Sequence, residues 1–410
     1  MDKLGIAYIG TGFIARFMAQ SMTAVRDADI TVVYNPHENG AKKLASYIQS
    51  LGLPKPKIYT DLHATLQDKS VNAAWIMNPN YARLETTRTI AEEATQGRGN
   101  LTAVACEKPL GRTADEAEEM LKAIQRTGLL HGYLENQVYS PSIVRGRDAA
   151  WRYGARTAGR PYLARAAEEH GGPHMAWFWD PRRSGGGVLL DMACHSIEAS
   201  RYLLTDPDKP KTSLKPKTIQ CTTRSLKWTR EPALTQLKKQ HNVDYAKTPA
   251  EDYAAVNIAY EDDDEPALSE TRVSWCYTGP GLRLSMELLG PEYSVTMNSL
   301  QQELNVFLSR NIKSEQSEDF VEKQAAEQGL MPIVPDEAAA YGYVGETRHM
   351  VDSFRAGAMP TEDWTDGLLV TQLMMQAYKS ADEGRTIKFN PESVRGYTPK
   401  VATGEWRPPE

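Results

Sequence analysis

Several features that would assign a protein to a special class are missing from this chain of 410 residues. It has four cysteines, and no two of them form a C-x-x-C pair: Cys106, Cys194, Cys221 and Cys276. Such scattered thiols supply neither a metal-binding framework nor the disulfide scaffold of a secreted domain. We therefore expect a reducing, cytoplasmic setting.

Long apolar runs and basic runs are missing as well. No segment approaches the roughly 18 consecutive apolar residues of a membrane span, and the apolar stretch 4–9 is too short for the core of a signal peptide. The formal net charge is −6 and no Lys/Arg-rich run is present, which argues against a protein that neutralises nucleic-acid phosphates. We expect small-molecule partners, with neither nucleic acid nor membrane.

The first third of the chain alternates short β-branched runs with helical patterns. This alternation is typical of βαβ units and a parallel sheet, and the chain is long enough for two domains. We predict a Rossmann domain over residues 1–133. The predicted strands are Gly5–Ile9, Ile30–Tyr34, Ala73–Met77 and Thr102–Cys106, and the predicted helices are Ile14–Val25, Gly40–Ser50, Arg83–Ala94 and Ala114–Arg126, the last capped by Thr113 with Glu116.

After residue 133 the strand-like segments follow one another without helices between them. This pattern predicts an α+β domain over 134–410 with a mostly antiparallel sheet. Two helices close the chain, and the C-terminal one is a candidate for packing back on the first domain. The predicted strands are Ile219–Leu226, Ala254–Tyr260, Glu270–Tyr277, Leu282–Leu289 and Ser294–Asn298, and the helices are Tyr343–Ala356 and Thr365–Glu383.

A glycine motif, Gly10-Thr11-Gly12-Phe13-Ile14-Ala15, follows the first predicted strand and opens a helix. The first glycine allows a tight turn, the second lets the backbone approach a pyrophosphate, and the small last residue allows close helix–strand packing. The helix N-terminus then favours the phosphate charge. The alternative is a glycine turn without a ligand.

Asn35 lies about 20 residues further on, at the position where an NAD-specific protein carries an acidic residue. That residue accepts a hydrogen bond from the ribose 2′-OH. An amide can bond a hydroxyl and does not repel a 2′-phosphate. The choice between NAD and NADP therefore stays open, as does the alternative that Asn35-Pro36 only makes a turn.

Lys108 follows the strand that ends in Cys106-Glu107. Ligands of open α/β sheets bind beyond the carboxyl ends of the strands, so this cation is a candidate for contact with a reacting hydroxyl. The alternative is a solvated surface lysine.

A third motif begins with the triplet Gly185–Gly187 and continues into a helical pattern from Val188 to Leu204. On that helix Asp191 and His195 are four residues apart and share one face. Histidine can accept a proton near neutral pH, and a carboxylate can orient a hydroxyl or the imidazole. The alternative is a local ion pair on a packed helix.

The segment before the glycine triplet is rich in groups that recognise sugars. Indole faces pack on a pyranose, and the arginine guanidinium can bind an anionic group with two hydrogen bonds. The alternative is that the tryptophans are core residues and the arginines are surface residues. We predict no metal site, since carbinol oxidation needs only a base and a hydride acceptor. The candidates are His170, His174, Trp177, Trp179, Arg182 and Arg183.

Together these motifs resemble the Gfo/Idh/MocA family, named after glucose-fructose oxidoreductase and inositol dehydrogenase. Segments 72–80, Asp366-Gly367 and Ser380-Ala381 are similar to the family as well. The resemblance implies a second domain with an open sheet whose exposed face often mediates homodimers or homotetramers. Two departures are Asn35 and Arg83, the latter standing where a histidine often follows the Pro-Asn pair.

The resemblance also implies residue roles. Lys108 and His195 would be the catalytic pair, with Asp191 positioning the substrate. NAD would be the cofactor, with NADP not excluded, held by Gly10, Gly12, Phe13, Ile14, Asn35, Asn78, Pro79, Glu107, Lys108 and Asn136. The substrate would meet Tyr139, His170, His174, Trp177, Trp179, Arg182, Arg183 and Asp191.

Three functions remain open from the sequence. The first is an NAD(P)-dependent oxidoreductase of sugars or polyols. The second is similar to the family's redox-neutral NAD-dependent glycoside hydrolases, including sulfoquinovosidase-like members that act on anionic sugars. The third is a non-catalytic NAD(P)-sensing regulator, against which the presence of Lys108, Asp191 and His195 argues.

Overall fold

The computed structural model describes residues 3–279, 281–298, 300, 305–308, 329–332 and 336–408. Its backbone divides into two compact units. The first comprises Met1–Tyr139 and Gly342–Thr371, and the second Ser140–Tyr341 and Gln372–Glu410. The sequence analysis placed one boundary after residue 133, whereas the first unit also takes a later stretch of chain.

The first unit contains a six-stranded parallel sheet of order β3-β2-β1-β4-β5-β6. Its central strands are buried along their whole length, as parallel strands covered on both faces must be. This is a Rossmann sheet. The strands are β1 Leu4–Ile9, β2 Ala28–Tyr34, β3 Lys57–Tyr59, β4 Ala73–Ile76, β5 Ala103–Glu107 and β6 Leu130–Leu134, and the helices are α1 Phe13–Met22, α2 Glu38–Ser50, α3 Leu62–Gln67, α4 Asn80–Thr95 and α5 Ala114–Gln125.

The four strands and four helices predicted for this unit are present, with shifted ends. The prediction missed β3, β6 and α3, because β3 and α3 are short and β6 contains His131-Gly132 in place of a β-branched run. At the start of α5, the Thr113 hydroxyl accepts a hydrogen bond from the Glu116 N–H at 3.2 Å. The predicted N-cap is therefore correct.

The second unit contains a seven-stranded mixed sheet of order β12-β11-β7-β10-β9-β8-β15. β7 and β10 run parallel, and the other neighbouring strands are antiparallel. Helix α9 lies against β7 and β10. From residue 141 to 340 the elements are α6 Pro141–Ala149, a π-helical turn Ala150–Ala155, α7 Arg156–Ala158, β7 Leu163–Glu169, α8 Pro181–Ser184, α9 Val188–Leu204, β8 Lys215–Arg224, α10 Ala233–His241, β9 Tyr253–Asp262, β10 Glu265–Ser274, β11 Arg283–Gly290, β12 Tyr293–Met297, the pair β13 Asn305–Leu308 and β14 Gly329–Pro332, and α11 Glu337–Ala340.

The last elements are α12 Tyr343–Arg355, α13 Trp364–Glu383, β15 Ile387–Lys388 and α14 Lys400–Thr403. In the first unit α12 packs on α1, where the Phe17 and Tyr343 rings lie 5.4 Å apart. The division between the units falls inside α13, between Thr371 and Gln372. None of the described helices combines the length and apolarity needed to cross a membrane.

Candidate active site

The glycine loop of the first unit has the geometry that a pyrophosphate needs. Gly10 has a φ of +120°, and a Cβ on it would lie 2.7 Å from the Met77 carbonyl. Gly12 precedes α1, and a Cβ there would project into open space. No side chain caps the N-terminus of α1. The first glycine therefore serves the close β1–β4 approach, while the second leaves room beside uncapped N–H groups.

Asn35 binds the glycine loop. Its Nδ2 donates to the Thr11 hydroxyl at 2.5 Å, and its Oδ1 accepts from the His37 N–H at 2.8 Å. The side chain therefore fixes the end of β2 against the loop and also makes the turn that the sequence analysis gave as the alternative.

Asn78 supplies a second feature that fits a dinucleotide. Its Nδ2 donates to the Thr86 hydroxyl at 2.7 Å, and its buried Oδ1 has no partner among the residues that the structure describes. A buried acceptor without a donor is unfavourable unless a ligand supplies one. Together with the helix N-terminus, this acceptor shows that the loop residues present fit NAD. Pro79 directly precedes α4, while Phe13 and Ile14 are half-buried in the first turn of α1.

Lys108 lies beside two buried carboxyl groups, those of Glu107 and Glu135. Burial raises the pKa of Glu107 to about 7 and that of Glu135 to about 8, and the Lys108 charge opposes both shifts. Glu107 also accepts from the Lys108 N–H at 3.2 Å. The lysine therefore has acidic neighbours that can hold a proton near neutral pH.

Arg83 is buried and donates to main-chain carbonyl groups at the ends of β4 and β5. Its Nε donates to the Asn78 carbonyl at 3.2 Å, and its Nη1 donates to the Glu107 carbonyl at 2.6 Å and to the Pro109 carbonyl. The residue that departs from the family pattern thus has a definite place next to Lys108.

Tyr139 ends the first segment of this unit, three residues after the buried Asn136. Its hydroxyl accepts from the Glu362 N–H at 3.3 Å, and its ring lies 5.3 Å from that of His349. Burial and the charges of Glu362 and Glu346 raise its pKa. Tyr139 therefore stays protonated at neutral pH.

The start of α9 in the second unit is held by a buried carboxyl group. Glu251 Oε1 accepts from the N–H groups of Gly187 at 2.9 Å and Leu189 at 3.3 Å, and from the Tyr378 hydroxyl at 2.5 Å. A Cβ on Gly186 would lie 2.1 Å from that hydroxyl, and one on Gly187 would lie 2.3 Å from the Glu251 carbonyl. In the second unit, the groups that approach Gly186 and Gly187 closely are therefore the Tyr378 hydroxyl and Glu251.

Asp191 lies one turn into α9 and is oriented from outside the helix. The Trp275 Nε1–H donates to its Oδ2 at 3.1 Å. His170 Nδ1 accepts from the Gly172 N–H at 2.9 Å, so the neutral ring carries its proton on Nε2, which lies 3.9 Å from the same Oδ2. Trp275 and His170 together fix the carboxylate.

His195 is buried one turn further along α9. Its ring centroid lies 6.5 Å from that of Tyr341, whose hydroxyl donates to Glu168 Oε1 at 2.7 Å. The helix therefore presents Asp191 and His195 from one face, inside a set of hydrogen-bonded side chains.

The segment before the glycine triplet separates into core and surface. Trp179 is 1% exposed, packs against Trp228 and Trp275, and donates to the Pro173 carbonyl at 2.9 Å. It is a core residue, which is the alternative that the sequence analysis gave for the tryptophans of this segment. Among the candidate residues of the segment, His174, Arg182 and Arg183 are exposed, and Trp177 is half-buried against Phe178.

Sequence reasoning missed Glu135, Glu251, Trp275 and Tyr341. Each acts through a partner far away in the chain; Glu251, for example, is 64 residues from Gly187. The one available signal was Arg83, singled out only as a departure. The structure shows Arg83 to be buried, and a buried charged residue indicates a specific partner.

Two family models match the chain. Residues 4–133 match the oxidoreductase family with an NAD-binding Rossmann fold, and residues 152–296 match the GFO/IDH/MocA C-terminal domain.

Among curated relatives, the chain is 26% identical over 216 residues to a 1,5-anhydro-D-fructose reductase of Ensifer adhaerens, covering 50% of this chain and 57% of that protein. The chain thus spans little more than half the length of that relative. It is 23% identical to a D-apiose dehydrogenase of Paraburkholderia graminis over 408 residues, covering 97% and 92% of the two chains.

Among solved structures, GenD2 from gentamicin A biosynthesis in complex with NAD superposes with a TM-score of 0.75 and 25% identity. The match covers 95% of this chain and 97% of that chain.

Proposed function

The chain belongs to the Gfo/Idh/MocA oxidoreductase family, and on that premise we propose that it is an NAD-dependent oxidoreductase of a sugar or polyol. The observation that carries this proposal is the orientation of Asp191 by Trp275 and His170, one helical turn before His195. Any buried carboxylate needs hydrogen-bond donors, so the feature that favours a site is that this oriented acid shares one face of α9 with His195. The names of the relatives, a sugar reductase and a sugar dehydrogenase, support the substrate class.

Bound NAD supplies the acceptor for the hydride of a substrate carbinol. The carbinol also loses its hydroxyl proton, and His195 accepts that proton. Asp191 accepts a hydrogen bond from a substrate hydroxyl and fixes the ring. Lys108 donates to the reacting oxygen and stabilises the negative charge that develops there.

The cofactor would be held by the glycine loop, the N-terminus of α1 and the orphan acceptor of Asn78, with Asn35, Pro79, Glu107 and Asn136 in the remaining cofactor set. Trp179 is packed in the core and is therefore left out of the proposed substrate contacts. His170 acts through Asp191, while Tyr139, His174, Trp177, Arg182 and Arg183 remain proposed contacts.

A homodimer or homotetramer is proposed as well, and light scattering of the purified protein tests it.

A double assay tests the reaction. The protein is incubated with NAD or NADP and a panel of free, uronic and sulfonated sugars and their aryl glycosides, while reduced cofactor and released aglycone are followed together. We expect stoichiometric reduced cofactor with a free sugar or polyol. Aglycone release without net reduction would replace the proposal by a redox-neutral glycosidase. Cofactor binding with no turnover on any substrate would favour a regulator.

Single substitutions test the assigned residues. We expect Lys108→Ala and His195→Ala each to lower kcat by about 10²- to 10⁴-fold, because each removes a group that bonds or deprotonates the reacting hydroxyl. For His195→Ala, the NAD affinity measured by fluorescence titration should change little.

The exposed Lys122→Ala serves as the matched control and should behave like the wild type. Wild-type turnover in both of the other variants would contradict the catalytic assignment.

A further inference from the structure

We propose that Arg83 is a positioning residue for Lys108, which its guanidinium achieves by binding the main-chain carbonyls on either side of the lysine. The inference rests on the proposed function in one respect, namely that Lys108 takes part in the reaction. It assigns a role to the residue at which this chain departs from the family pattern.

Arg83 binds the carbonyl groups of the two residues that flank Lys108, and we call this pair of contacts the bracket. Nη1 donates to the carbonyl of Glu107, directly before the lysine, at 2.6 Å, and to the carbonyl of Pro109, directly after it. Nε donates to the Asn78 carbonyl at 3.2 Å. One planar group thus connects the ends of β4 and β5.

These carbonyls need donors. The Glu107 carbonyl also accepts from the Cys106 Sγ at 3.4 Å, which is a weak donor. Arg83 adds N–H donors to this carbonyl and to that of Pro109. Burial makes an unpaired acceptor unfavourable by about 1–3 kcal/mol. Arginine donates from a rigid fork, whereas lysine is a point charge on a flexible stem. A lysine or a histidine in this place cannot reproduce the full set of directions.

The bracket determines where the Lys108 side chain leaves the backbone. The Glu107 carbonyl lies in the peptide plane directly before Lys108, and the Pro109 carbonyl lies in the plane directly after Pro109. The lysine is therefore held between two anchored peptide planes, which restricts its Cα–Cβ direction. Loss of the bracket allows these planes to rotate, and a displacement of about 1 Å in a reacting group lowers the rate about a hundredfold.

The cofactor loop has independent support. The Asn78 side chain is also held by Thr86 at 2.7 Å, and the glycine loop is held by Asn35. We therefore expect loss of the bracket to affect turnover much more than NAD binding. A purely structural role would lower both together with the melting temperature.

The experiment compares Arg83→Met, Arg83→Lys and Arg83→His in the full chain. For Arg83→Met we expect kcat to fall about tenfold to a hundredfold, with a shifted pH profile of kcat. The substrate KM and the NAD Kd should stay within about threefold of the wild type. Arg83→Lys should recover part of kcat and decides the question if the methionine variant does not fold. The control is Arg88→Met, on the exposed side of the same helix, which should match the wild type.

A double-mutant cycle with Lys108→Ala separates positioning from general damage. If Arg83 acts through Lys108, adding Arg83→Met to Lys108→Ala should slow turnover no further. Additive losses, or wild-type kcat in a folded Arg83→Met, overturn the inference. Full activity of Lys108→Ala alone would instead contradict the proposed function, whatever Arg83 does.

Discussion

Glu346 is a buried acid on α12 whose carboxyl oxygens both lack hydrogen-bond partners among the described residues. Burial raises its pKa well above the usual value, and the nearby charges of Glu107, Glu135 and Glu362 add to the effect. The group is therefore neutral in the folded protein at a pH where the unfolded chain would ionise it.

Stability should consequently fall as the pH rises. The folded state holds protons on Glu107, Glu135 and Glu346 that the unfolded state releases near pH 4.5, and the folded pKa values of the first two are about 7 and about 8. Between about pH 4.5 and 8 the folded state binds more protons, so each upward step in pH favours unfolding. The charges of Lys108 and Arg83 lower the pKa of Glu107, but they do not cancel the rise that burial causes.

Glu346→Gln tests this account, because the amide has nearly the shape of the protonated acid and cannot ionise. We expect the free energy of unfolding in urea to equal that of the wild type at pH 5 and to exceed it by about 1–3 kcal/mol at pH 8.5. Glu85→Gln, on an exposed side chain, should change nothing at either pH. A variant less stable than the wild type at both pH values would refute the buried neutral acid.

At this scale the sequence indicated the residues to which the chemistry is proposed to belong, and not the groups that hold them. Lys108, Asp191 and His195 stand in recognisable motifs, whereas Glu346 and Glu135 do not. A glutamate is usually solvated, whether it stands in a helical pattern, as Glu346 does, or after a strand, as Glu135 does. Only the tertiary structure could show these two to be buried.

Among the elements, α9 connects sequence and site most directly. Its predicted bounds, Val188 to Leu204, are those of the structure. Its N-terminus depends on Glu251 and Tyr378, which are 64 and 191 residues from Gly187 in the chain. The glycine triplet therefore leaves room for a close approach, and the sequence alone could not say which group makes it.

Gly187→Ala should weaken this helix start. The new Cβ would lie 2.3 Å from the Glu251 carbonyl, a backbone atom that cannot rotate away. We expect a loss of about 1–3 kcal/mol in the free energy of unfolding and a lower kcat, because Asp191 moves with the first turn.

Gly171→Ala is the matched control for stability, since its Cβ would come no closer than 3.5 Å to another group. Equal melting temperatures for the two alanine variants would show that the contact at Gly187 is not tight.

The strands were predictable to different degrees. Strands of the second sheet such as β9 were found as strand-like segments that follow one another without helices, and the burial of β9 alternates along its length. β7 was missed because Leu163–Glu169 is rich in alanine and glutamate, which favour helices. It forms a strand because β10 and β11 pair with it on both sides.

For the whole molecule, the decisive feature is that the first unit is not one continuous stretch of chain. Residues Gly342–Thr371 complete it. A Cβ on Gly132 of β6 would lie 2.5 Å from the Met350 sulfur and 3.1 Å from Phe354, and Trp364 Nε1 donates to the Gly132 carbonyl at 2.9 Å. The sequence analysis raised such a return for the C-terminal helix alone and not for α12, because a boundary is recognised from a change of pattern and a return of the chain leaves none.

A fragment of residues 1–139 should therefore be unstable. It lacks the covering side chains of Met350, Phe354 and Trp364, and the loss of each large buried side chain lowers stability by about 2–5 kcal/mol. Joining residue 139 to residues 342–371 through a short flexible linker should restore a cooperative urea transition and NAD binding. A cooperative transition in the shorter fragment would contradict this division of the chain.

The division inside α13 also has a consequence for the order of events during synthesis. Domains ordinarily fold from the N-terminus as each one is completed. In this chain the first unit cannot be completed until the ribosome has made residues up to Thr371. The second unit cannot be completed until the residues after Thr371 have been made. A stop codon anywhere before Thr371 thus leaves two unfinished units in place of one finished and one damaged.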